Sequence, residues 1–324
     1  MLVRKACVWP VLALAMAVGL AACGGDGDDA DSAADSTGRG QASVRSVEVV
    51  ATTDAARQPI DGAPSPDGGV IYFLATGDPG PAVFSVPGTG GTATIVVQGL
   101  PLVQPTSIAV ATDGSRLFVA DTAGVLAVPT AGTDRMPTVV EGTAGRAPRG
   151  LDVVTQAGAD VIYFTGTNPA GGAKGLFHVP AAGGTVTTVA EGPPLASPDA
   201  VVVAADGVAY VSDPGSDAAT GDVYRLAAGG GGAVTPVVTD VHLGAPAGVT
   251  LVHDDATLLV SSIDDATSSD QLLFLDLATG TTSVTSDVIG ANKGTAGGVH
   301  RALATDVLAW ADVQRPGRVY RVEL

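Results

Sequence analysis

Four charged residues could form an acid–base site if the fold brings them together: His300, Arg301, Arg149 and Asp199. Histidine exchanges protons near neutral pH, and arginine stabilises negative charge that develops on a reacting group. A general base must be oriented by a partner, and no acid stands beside His300 in the sequence. A solvated or capped loop histidine is therefore the simpler interpretation of His300, and mutual contact among the four residues is the condition for catalysis.

Two acid-rich stretches offer oxygen ligands for a calcium ion. Calcium takes about six to eight oxygens, and dedicated loops hold them at fixed spacing around a glycine turn. The aspartates here lack that spacing, so we predict no cofactor, with calcium as the candidate ion if a metal binds. The candidate metal ligands are Asp213, Asp217, Asp222, Asp264, Asp265 and Asp270.

The N-terminus is suited to a different chemistry, centred on a cysteine. Arg4 and Lys5 precede a run of apolar residues that ends in Leu20-Ala21-Ala22-Cys23. A charged start, an apolar stretch and small residues before a cut site are typical of an export signal, whereas a membrane span needs about 20 apolar residues. We therefore predict a signal peptide over residues 1–22.

This N-terminus resembles the lipobox of bacterial lipoproteins, in which the cysteine is acylated and becomes the first residue of the mature chain. The resemblance implies palmitate-type acylation of Cys23 and a membrane partner for its acyl chains. It places the protein on the outer face of the plasma membrane or on the outer membrane. Each buried CH₂ contributes about 0.8 kcal/mol, so two or three chains anchor firmly. The alternative is an ordinary secretory signal in which Cys23 is incidental.

The segment after the lipobox, residues 23–42, is predicted to be a flexible acidic linker that begins with the lipidated cysteine. Residues 24–41 include five aspartates and no aromatic side chain. Such a composition cannot bury enough apolar surface to offset the entropy of ordering, and its like charges extend the chain. We expect a solvated spacer between the anchor and the folded domain.

The elements that must position the candidate site come from a repeat over residues 43–324. One apolar motif recurs at intervals of 42, 51, 47, 50 and 46 residues, about 47 on average. A period in the forties with several short strands per unit is typical of a propeller blade. The six copies are centred on Phe84, Leu126, Phe177, Tyr224, Phe274 and Tyr320.

Each unit is predicted to contain four strands. The first two apolar runs of the second unit, residues 108–110 and 117–120, flank Asp113-Gly114, and an Asp-Gly pair between such runs is a strong hairpin signal. Asp67-Gly68 and Asp206-Gly207 repeat it in the equivalent place. The third and fourth strands of this unit are predicted at residues 125–128 and 138–140.

The sixth unit stops after its third strand, and residues 43–50 alternate like a strand ahead of the first blade. A closing strand placed there would remove an exposed sheet edge. The sequence therefore predicts an all-β fold. It is a six-bladed β-propeller of four-stranded antiparallel blades, closed by an N-terminal strand that completes the last blade.

The second strands end in Phe118-Val-Ala-Asp121, Tyr210-Val-Ser-Asp213 and Trp310-Ala-Asp312. These endings resemble the NHL, Tyr-Trp-Thr-Asp and streptogramin-lyase-like classes of six-bladed propeller. The resemblance covers about residues 43–324 and implies that the three aspartates brace neighbouring blades. It implies architecture alone, since these classes include lyases, lactonases, sensors and binding platforms.

The lactonase-type propellers place a Glu/Asn/Asp metal set around the channel, and this sequence does not reproduce it. Streptogramin-lyase propellers use His and Glu at the channel mouth, and His300 could occupy such a place without an accompanying His-x-Glu. At the entry to the first strands, where that metal set would lie, this sequence has Thr106, Arg149, Asp199, Ala247 and Gly297.

Composition narrows the class of partner. The formal net charge is −17, or −19 once Arg4 and Lys5 leave with the signal peptide, so nucleic acid is excluded because phosphate contacts need positive charge. Six Phe, five Tyr and Trp310 remain after that cut, and all are predicted to lie in second and third strands. None is left in a loop to stack on a sugar or a base.

The face that carries the loops leading into the first strands surrounds the channel and is the expected binding site. We expect a monomeric binding or scaffold module at the cell envelope, with an unknown protein or small molecule bound at that face. The alternative function is a propeller lyase or lactonase-type hydrolase acting at the channel mouth. Arg149, Asp152, Asp199, His300 and Arg301 are expected in the loops of that face.

Overall fold

The structure is a computed structural model that describes residues 43–133, 135–215, 220–227, 229–252, 255–286 and 296–324. Over these ranges the chain is built from β-strands joined by turns and loops, without a helix. A membrane-spanning helix is accordingly not found among the described residues. The predicted signal peptide, Cys23 and the acidic linker lie outside these ranges.

The strands pair into six antiparallel sheets of four strands each. The first blade contains β2 (Arg57–Pro64), β3 (Val70–Gly77), β4 (Ala82–Pro87) and β5 (Thr94–Gln98). The second contains β6 (Ser107–Val110), β7 (Arg116–Asp121), β8 (Gly124–Pro129) and β9 (Thr138–Val139). The third contains β10 (Leu151–Gln156), β11 (Ala159–Thr167), β12 (Lys174–Pro180) and β13 (Thr187–Glu191).

The remaining three blades follow the same pattern. The fourth contains β14 (Val201–Val203), β15 (Ala209–Asp213), β16 (Gly221–Leu226) and β17 (Val234–Val241). The fifth contains β18 (Val249–Val252), β19 (Thr257–Asp264), β20 (Ser269–Asp276) and β21 (Thr282–Ser286). The sixth contains β22 (Ala296–Arg301), β23 (Val307–Asp312), β24 (Arg318–Glu323) and β1 (Ser46–Thr52).

The N-terminal strand closes the ring, as predicted. β1 pairs with β24 from Ser46 opposite Glu323 to Thr52 opposite Arg318, with a bulge between Val49 and Ala51. The strand begins three residues later than residue 43, where the alternation starts, and continues past residue 50. β1 thereby covers the outer edge of β24, and the sixth blade has four strands like the other five.

The hairpins between first and second strands have the expected turn chemistry. Gly68, Gly114 and Gly207 adopt φ values of 73°, 73° and 84°, a left-handed conformation that glycine takes without strain. The preceding carboxylates complete all three turns: Asp67 Oδ1 accepts the Gly69 N–H at 3.0 Å, Asp113 Oδ1 the Ser115 N–H at 2.8 Å, and Asp206 Oδ1 the Val208 N–H at 2.9 Å. The local sequence therefore determines the turns that join the first and second strands of these blades.

The aromatic side chains fill the space between sheets, at the strand positions predicted for them. They pair across neighbouring strands: the ring centroids of Phe73 and Phe84 are 5.0 Å apart, and those of Phe164 and Phe177 are 5.7 Å apart. Trp310 is fully buried, and its Nε1–H donates to Ser261 Oγ of the fifth blade at 3.1 Å. Each aromatic pair contributes about 0.5–1.5 kcal/mol beyond its buried area.

The second-strand aspartates Asp121 and Asp213 bind the segments that connect successive blades. Asp121 Oδ2 accepts the N–H groups of Val103 and Gln104, in the segment that links the first blade to the second. Asp213 accepts the N–H groups of Ala196 and Ser197 in the equivalent segment before the fourth blade. Each carboxylate thereby ties a connecting loop to the second strand of the blade that follows it.

Candidate functional site

The six first strands surround the channel, and they contact one another in ring order from β2 through β22 and back to β2. We call the face that carries the loops leading into these strands the upper face, and the face of the hairpins between first and second strands the lower face. Three cavities follow one another along the channel, and we name them upper, middle and lower.

The three cavities differ greatly in size. The upper cavity, beside Arg149 and Asp199, measures about 10 Å³, and the middle cavity, beside Asp152 and His300, about 20 Å³. A water molecule needs roughly 10–15 Å³ on this measure, so each has room for about one water. The lower cavity measures about 630 Å³, within the range of about 300–1,000 Å³ that is usual for ligand pockets.

A buried histidine–carboxylate pair separates the upper cavity from the middle one. His300 Nε2, in β22, lies 3.0 Å from Asp61 Oδ2 in β2, and the two side chains are 13% and 2% exposed. The same carboxylate accepts the N–H groups of Gly62 and Ile108, each at 2.9 Å. Asp61 therefore orients His300 and joins the first blade to both the second and the sixth.

The close approach at this pair requires a glycine. A Cβ atom on Gly298, two residues before His300, would lie 2.1 Å from Asp61 Oδ1. The next strands also place small residues at this level, because Ser107, Gly150 and Gly248 line the upper cavity. Small residues at this level thus leave room for the Asp61 carboxylate to reach His300.

The pKa values of the central groups follow from their surroundings. Burial lowers the pKa of His300, but the neighbouring carboxylates of Asp61 and Asp152 outweigh it, so the pKa ends above the ordinary value of 6.5. Burial raises the pKa of Asp152 above its ordinary value, against the opposing effects of Arg301 and His300. A shared cluster of charges therefore favours a protonated imidazole in the middle of the channel.

An arginine–aspartate pair lies at the upper face. Arg149 Nε and Nη2 both lie 2.7 Å from Asp199 Oδ1, and the arginine side chain is 48% exposed while the aspartate is 5% exposed. Asp199 Oδ2 accepts the Ala247 N–H of the fifth blade at 2.8 Å. The pair therefore links three blades and leaves part of the guanidinium open to solvent.

A second ion pair lies at the lower cavity. Arg301 Nη1 donates to Asp255 Oδ1, and Asp255 Oδ2 accepts the Ala205 N–H of the fourth blade at 2.6 Å. Both side chains are about one-fifth exposed, at 20% and 19%. The pair forms part of the cavity wall and stays accessible to solvent.

Three of the four catalytic candidates, Arg149, Asp199 and His300, line the upper cavity, and Arg301 lies below it. Arg149 and Asp199 pair at the upper face, His300 pairs with Asp61 inside the channel, and Arg301 pairs with Asp255 below. The expected loop positions are wrong for His300 and Arg301, which end β22, and for Asp152, which lies in β10. The first strands of the third and sixth blades therefore include residues that the sequence analysis assigned to loops.

Sequence reasoning missed Asp61 and Asp255, the partners of His300 and Arg301. Asp61 could have been noticed as an isolated carboxylate inside an apolar first strand, followed directly by Gly62. Its pairing with a histidine 239 residues away leaves no local pattern, since it depends on ring closure. Asp255 stands in a polar hairpin, where an aspartate is expected for the turn alone.

The described candidate metal ligands are engaged by protein donors. Asp213 accepts backbone N–H groups, Asp222 Oδ2 accepts the Tyr224 hydroxyl, and Asp270 Oδ1 accepts the Ala296 N–H. Asp264 caps its own turn, and Asp265 Oδ1 lies 2.8 Å from His242 Nδ1. Asp217 lies outside the described residues. Within the described ranges, three or more His, Cys, Asp or Glu side chains do not converge in an arrangement that could hold a metal ion.

Comparison with known proteins supports the architecture. No protein family and no curated protein matches the chain. A gluconolactonase from Xanthomonas campestris is 16% identical over 86% of this chain and 89% of its own, with a TM-score of 0.63. A candidate oxidoreductase (glucose dehydrogenase) from Thermus thermophilus is 15% identical over 86% of this chain and 100% of its own, with a TM-score of 0.55.

A structure of the nidogen/laminin complex has a similar chain, 19% identical over 71% of this one and 80% of its own, with a TM-score of 0.53. These structures carry unrelated names at identities below 20%, so the likeness is one of fold. The chain is a six-bladed β-propeller of four-stranded antiparallel blades, closed by its N-terminal strand.

Proposed function

We propose that the protein is an exported, lipid-anchored β-propeller that serves as a binding or scaffold module at the cell envelope. The observation that carries the proposal is that the carboxylates in the channel hydrogen-bond neighbouring blades. The carboxylates of Asp61, Asp152 and Asp199 each accept a backbone N–H of the neighbouring blade, at 2.8–2.9 Å. Groups engaged in this way rigidify a ring whose loops and cavities can bind a partner.

The NHL-like class is part of the same proposal. Asp121 and Asp213 bind the segments that connect successive blades, which is the role that the resemblance to that class implies for them. We propose that the propeller acts as a monomer, because its ring is closed by its own first strand. The partner is a protein or a small molecule bound at the channel.

The lipid anchor is tested by the mass of the mature chain. We expect protein extracted from membranes to begin at Cys23 and to carry the added mass of its acyl chains. Cys23→Ala should abolish that mass and release the protein into the soluble fraction, since one residue provides the whole attachment. Unmodified soluble protein from both genes would contradict the anchor, and a Cys7→Ala variant that keeps the acylated mass is the matched control.

One observation favours the alternative of a lyase or lactonase-type hydrolase. Asp61 supplies the orienting partner that His300 lacks in the sequence, and a histidine held by a carboxylate is a common general base. The cavities on either side have room for about one water each, however, which leaves no space for a substrate beside the imidazole.

The two functions are separated by hydrolysis of glucono-δ-lactone. For a binding module, we expect the same rate with purified protein as in buffer, in wild type and in His300→Gln alike. An acceleration that His300→Gln abolishes, while circular dichroism shows the fold to be kept, would replace the binding proposal with the enzyme.

A further inference from the structure

Of the three cavities along the described part of the channel, the lower one has room for a molecule larger than water. The upper and middle cavities measure about 10 and 20 Å³, against about 630 Å³ for the lower one. The sequence leads to the opposite expectation, because loops leading into the first strands normally surround a propeller's binding site. Here Asp61 and His300 close the channel from above, and the hairpins of the lower face leave it open.

Most residues that line the lower cavity are aliphatic, and polar side chains form the rest of its wall. Val154, Leu251 and Leu308 lie along the inner strands and their neighbours, and Leu303, 46% exposed, stands at the rim. Aliphatic walls without an aromatic platform suit a flexible hydrocarbon body better than a sugar ring or a base, which stack on aromatic faces.

The charges of the lower cavity favour an uncharged ligand. Among its described lining residues, Arg301 is the cation and Asp255 and Asp306 are the anions. Arg301 and Asp255 already neutralise each other, so a carboxylate ligand would meet the remaining charge of Asp306. A cationic ligand would have to leave water for a mainly aliphatic cavity with one carboxylate at its rim, which is costly.

Groups that can hydrogen-bond a neutral polar end are present in the same cavity. Thr305 lines it with a hydroxyl that can donate and accept, whereas the Thr155 hydroxyl already donates to Asp160 Oδ1 at 3.2 Å and lies 2.9 Å from Thr112 Oγ1. Arg301 has five N–H donors, of which Nη1 serves Asp255 and Nη2 the Val203 carbonyl at 3.4 Å, so others remain for a ligand oxygen. An ester, an alcohol or an amide can use such a mixed set, and none of them brings a charge that must be compensated.

The chain itself enters the propeller at this face. Arg45 N–H donates to the Glu323 carbonyl at 2.8 Å, and Leu324 lines the lower cavity. The 20 residues from Cys23 to Ala42 precede this point. The proposed lipid anchor at Cys23 precedes this point in the chain, and a bilayer is a source of aliphatic molecules.

We infer that the lower cavity binds an uncharged small molecule with an aliphatic body and one hydroxyl, ester or amide end, of the kind found in neutral lipids. This inference rests on the proposed function, because it names the ligand class and the face of the binding module. It moves the binding site from the upper face to the lower face of the ring.

The inference is tested with three ligands that share one chain length and differ in charge: 1-monooctanoylglycerol, octanoate and octyltrimethylammonium. Calorimetric titration uses the full chain with Cys23→Ala, without detergent and below micelle-forming concentrations. We expect 1-monooctanoylglycerol to bind at least about tenfold more tightly than either ion, since both ions must be desolvated. Failure of all three to bind, or equal binding of an ion, would overturn the assignment.

A blocking variant locates the site. Ala205 lines the lower cavity at its exposed rim, and Ala205→Trp should weaken 1-monooctanoylglycerol binding at least about tenfold by filling the space. Ala170 is equally exposed, in the loop between β11 and β12 of the upper face, and Ala170→Trp should leave the affinity unchanged. Equal affinity in Ala205→Trp and wild type would place the ligand elsewhere. The outcome is independent of acylation, so loss of the anchor and loss of this site are distinguished.

Discussion

Gly298 is the residue on which the central pair of the channel depends. A Cβ there would lie 2.1 Å from Asp61 Oδ1, a distance that forces the carboxylate to move. Gly298→Ala should therefore displace the acceptor of the Ile108 N–H and of His300, and lower the free energy of unfolding by about 2–4 kcal/mol. Urea denaturation monitored by circular dichroism measures the change.

Gly171 provides the matched control for this substitution. A Cβ at Gly171 meets no atom within 4 Å, and its φ is not in the left-handed region. Gly171→Ala should change the free energy of unfolding by less than about 0.5 kcal/mol. A similar loss in both variants would mean that Gly298 matters through backbone flexibility and not through contact with Asp61.

The protonation of His300 should make stability depend on pH. Its pKa is raised in the folded protein above 6.5, so the folded state holds the proton more tightly than the unfolded chain does. The stabilisation is complete below about pH 6.5 and is lost as pH rises through the folded-state pKa. The raised pKa of Asp152 acts in the same direction, but from about pH 3.8 upward.

His178 should show the opposite dependence and serves as the comparison. Burial lowers its pKa below 6.5, so its contribution to stability increases as pH rises through that value. His300→Gln should make the slope of unfolding free energy against pH more positive above about pH 6.5, and His178→Gln should make it more negative below about pH 6.5. Equal slopes in wild type and His300→Gln would show that folding does not raise the pKa of His300, against the expectation.

At the residue scale, the sequence predicts those positions that depend on composition and on spacing along the chain. The aromatic residues fall in the strands assigned to them, and Asp121 and Asp213 bind the connecting loops. The contact of His300 with Asp61 could not be predicted, because it joins the first blade to the last across 239 residues. Its distance and burial depend on how the ring closes, which no local pattern encodes.

At the scale of elements, β1 is attached to the ring by the side chains on its buried face. Val50 in β1 is 3% exposed and packs with Phe73 and Val319, whereas the adjacent Val49 is 49% exposed. Val50→Asp should lower the free energy of unfolding by about 3 kcal/mol or more, because it buries an uncompensated charge. Val49→Asp should cost less than about 0.5 kcal/mol.

Thermal and urea denaturation of the two variants tests the closure. Both substitutions add the same charge to the same strand, so a difference between them reports the side-chain face alone. Equal and small losses would show that β1 contributes little to the stability of the ring.

The elements themselves were largely predictable. The motif centred on Phe84, Leu126 and their counterparts lies in the third strand of every blade, and the Asp-Gly pairs lie in the hairpins between first and second strands. The boundaries of β1 and β22 were not, because a bulge shifts the register of each strand. A bulge adds a residue without disturbing the apolar pattern that sequence reasoning follows.

At the scale of the whole molecule, part of the acidic surplus serves the ring. Carboxylates accept N–H groups across the boundaries between the first and second, third and fourth, fourth and fifth, and fifth and sixth blades. From the sequence alone, the acidic composition excludes nucleic acid as a partner and indicates nothing about the ring. Its use as bridges between blades follows only from the three-dimensional positions of these side chains.

The antiparallel pairing of β1 with β24 also determines how the protein responds to mechanical force. The chain enters β1 beside Ser46, which is paired with Glu323 at the end of the ladder. Tension applied through an anchored N-terminus would therefore act on one rung at a time and peel β1 away, instead of shearing all rungs together. Force applied between residue 43 and Leu324, which lie at the same end of the ladder, would open the ring at this strand first.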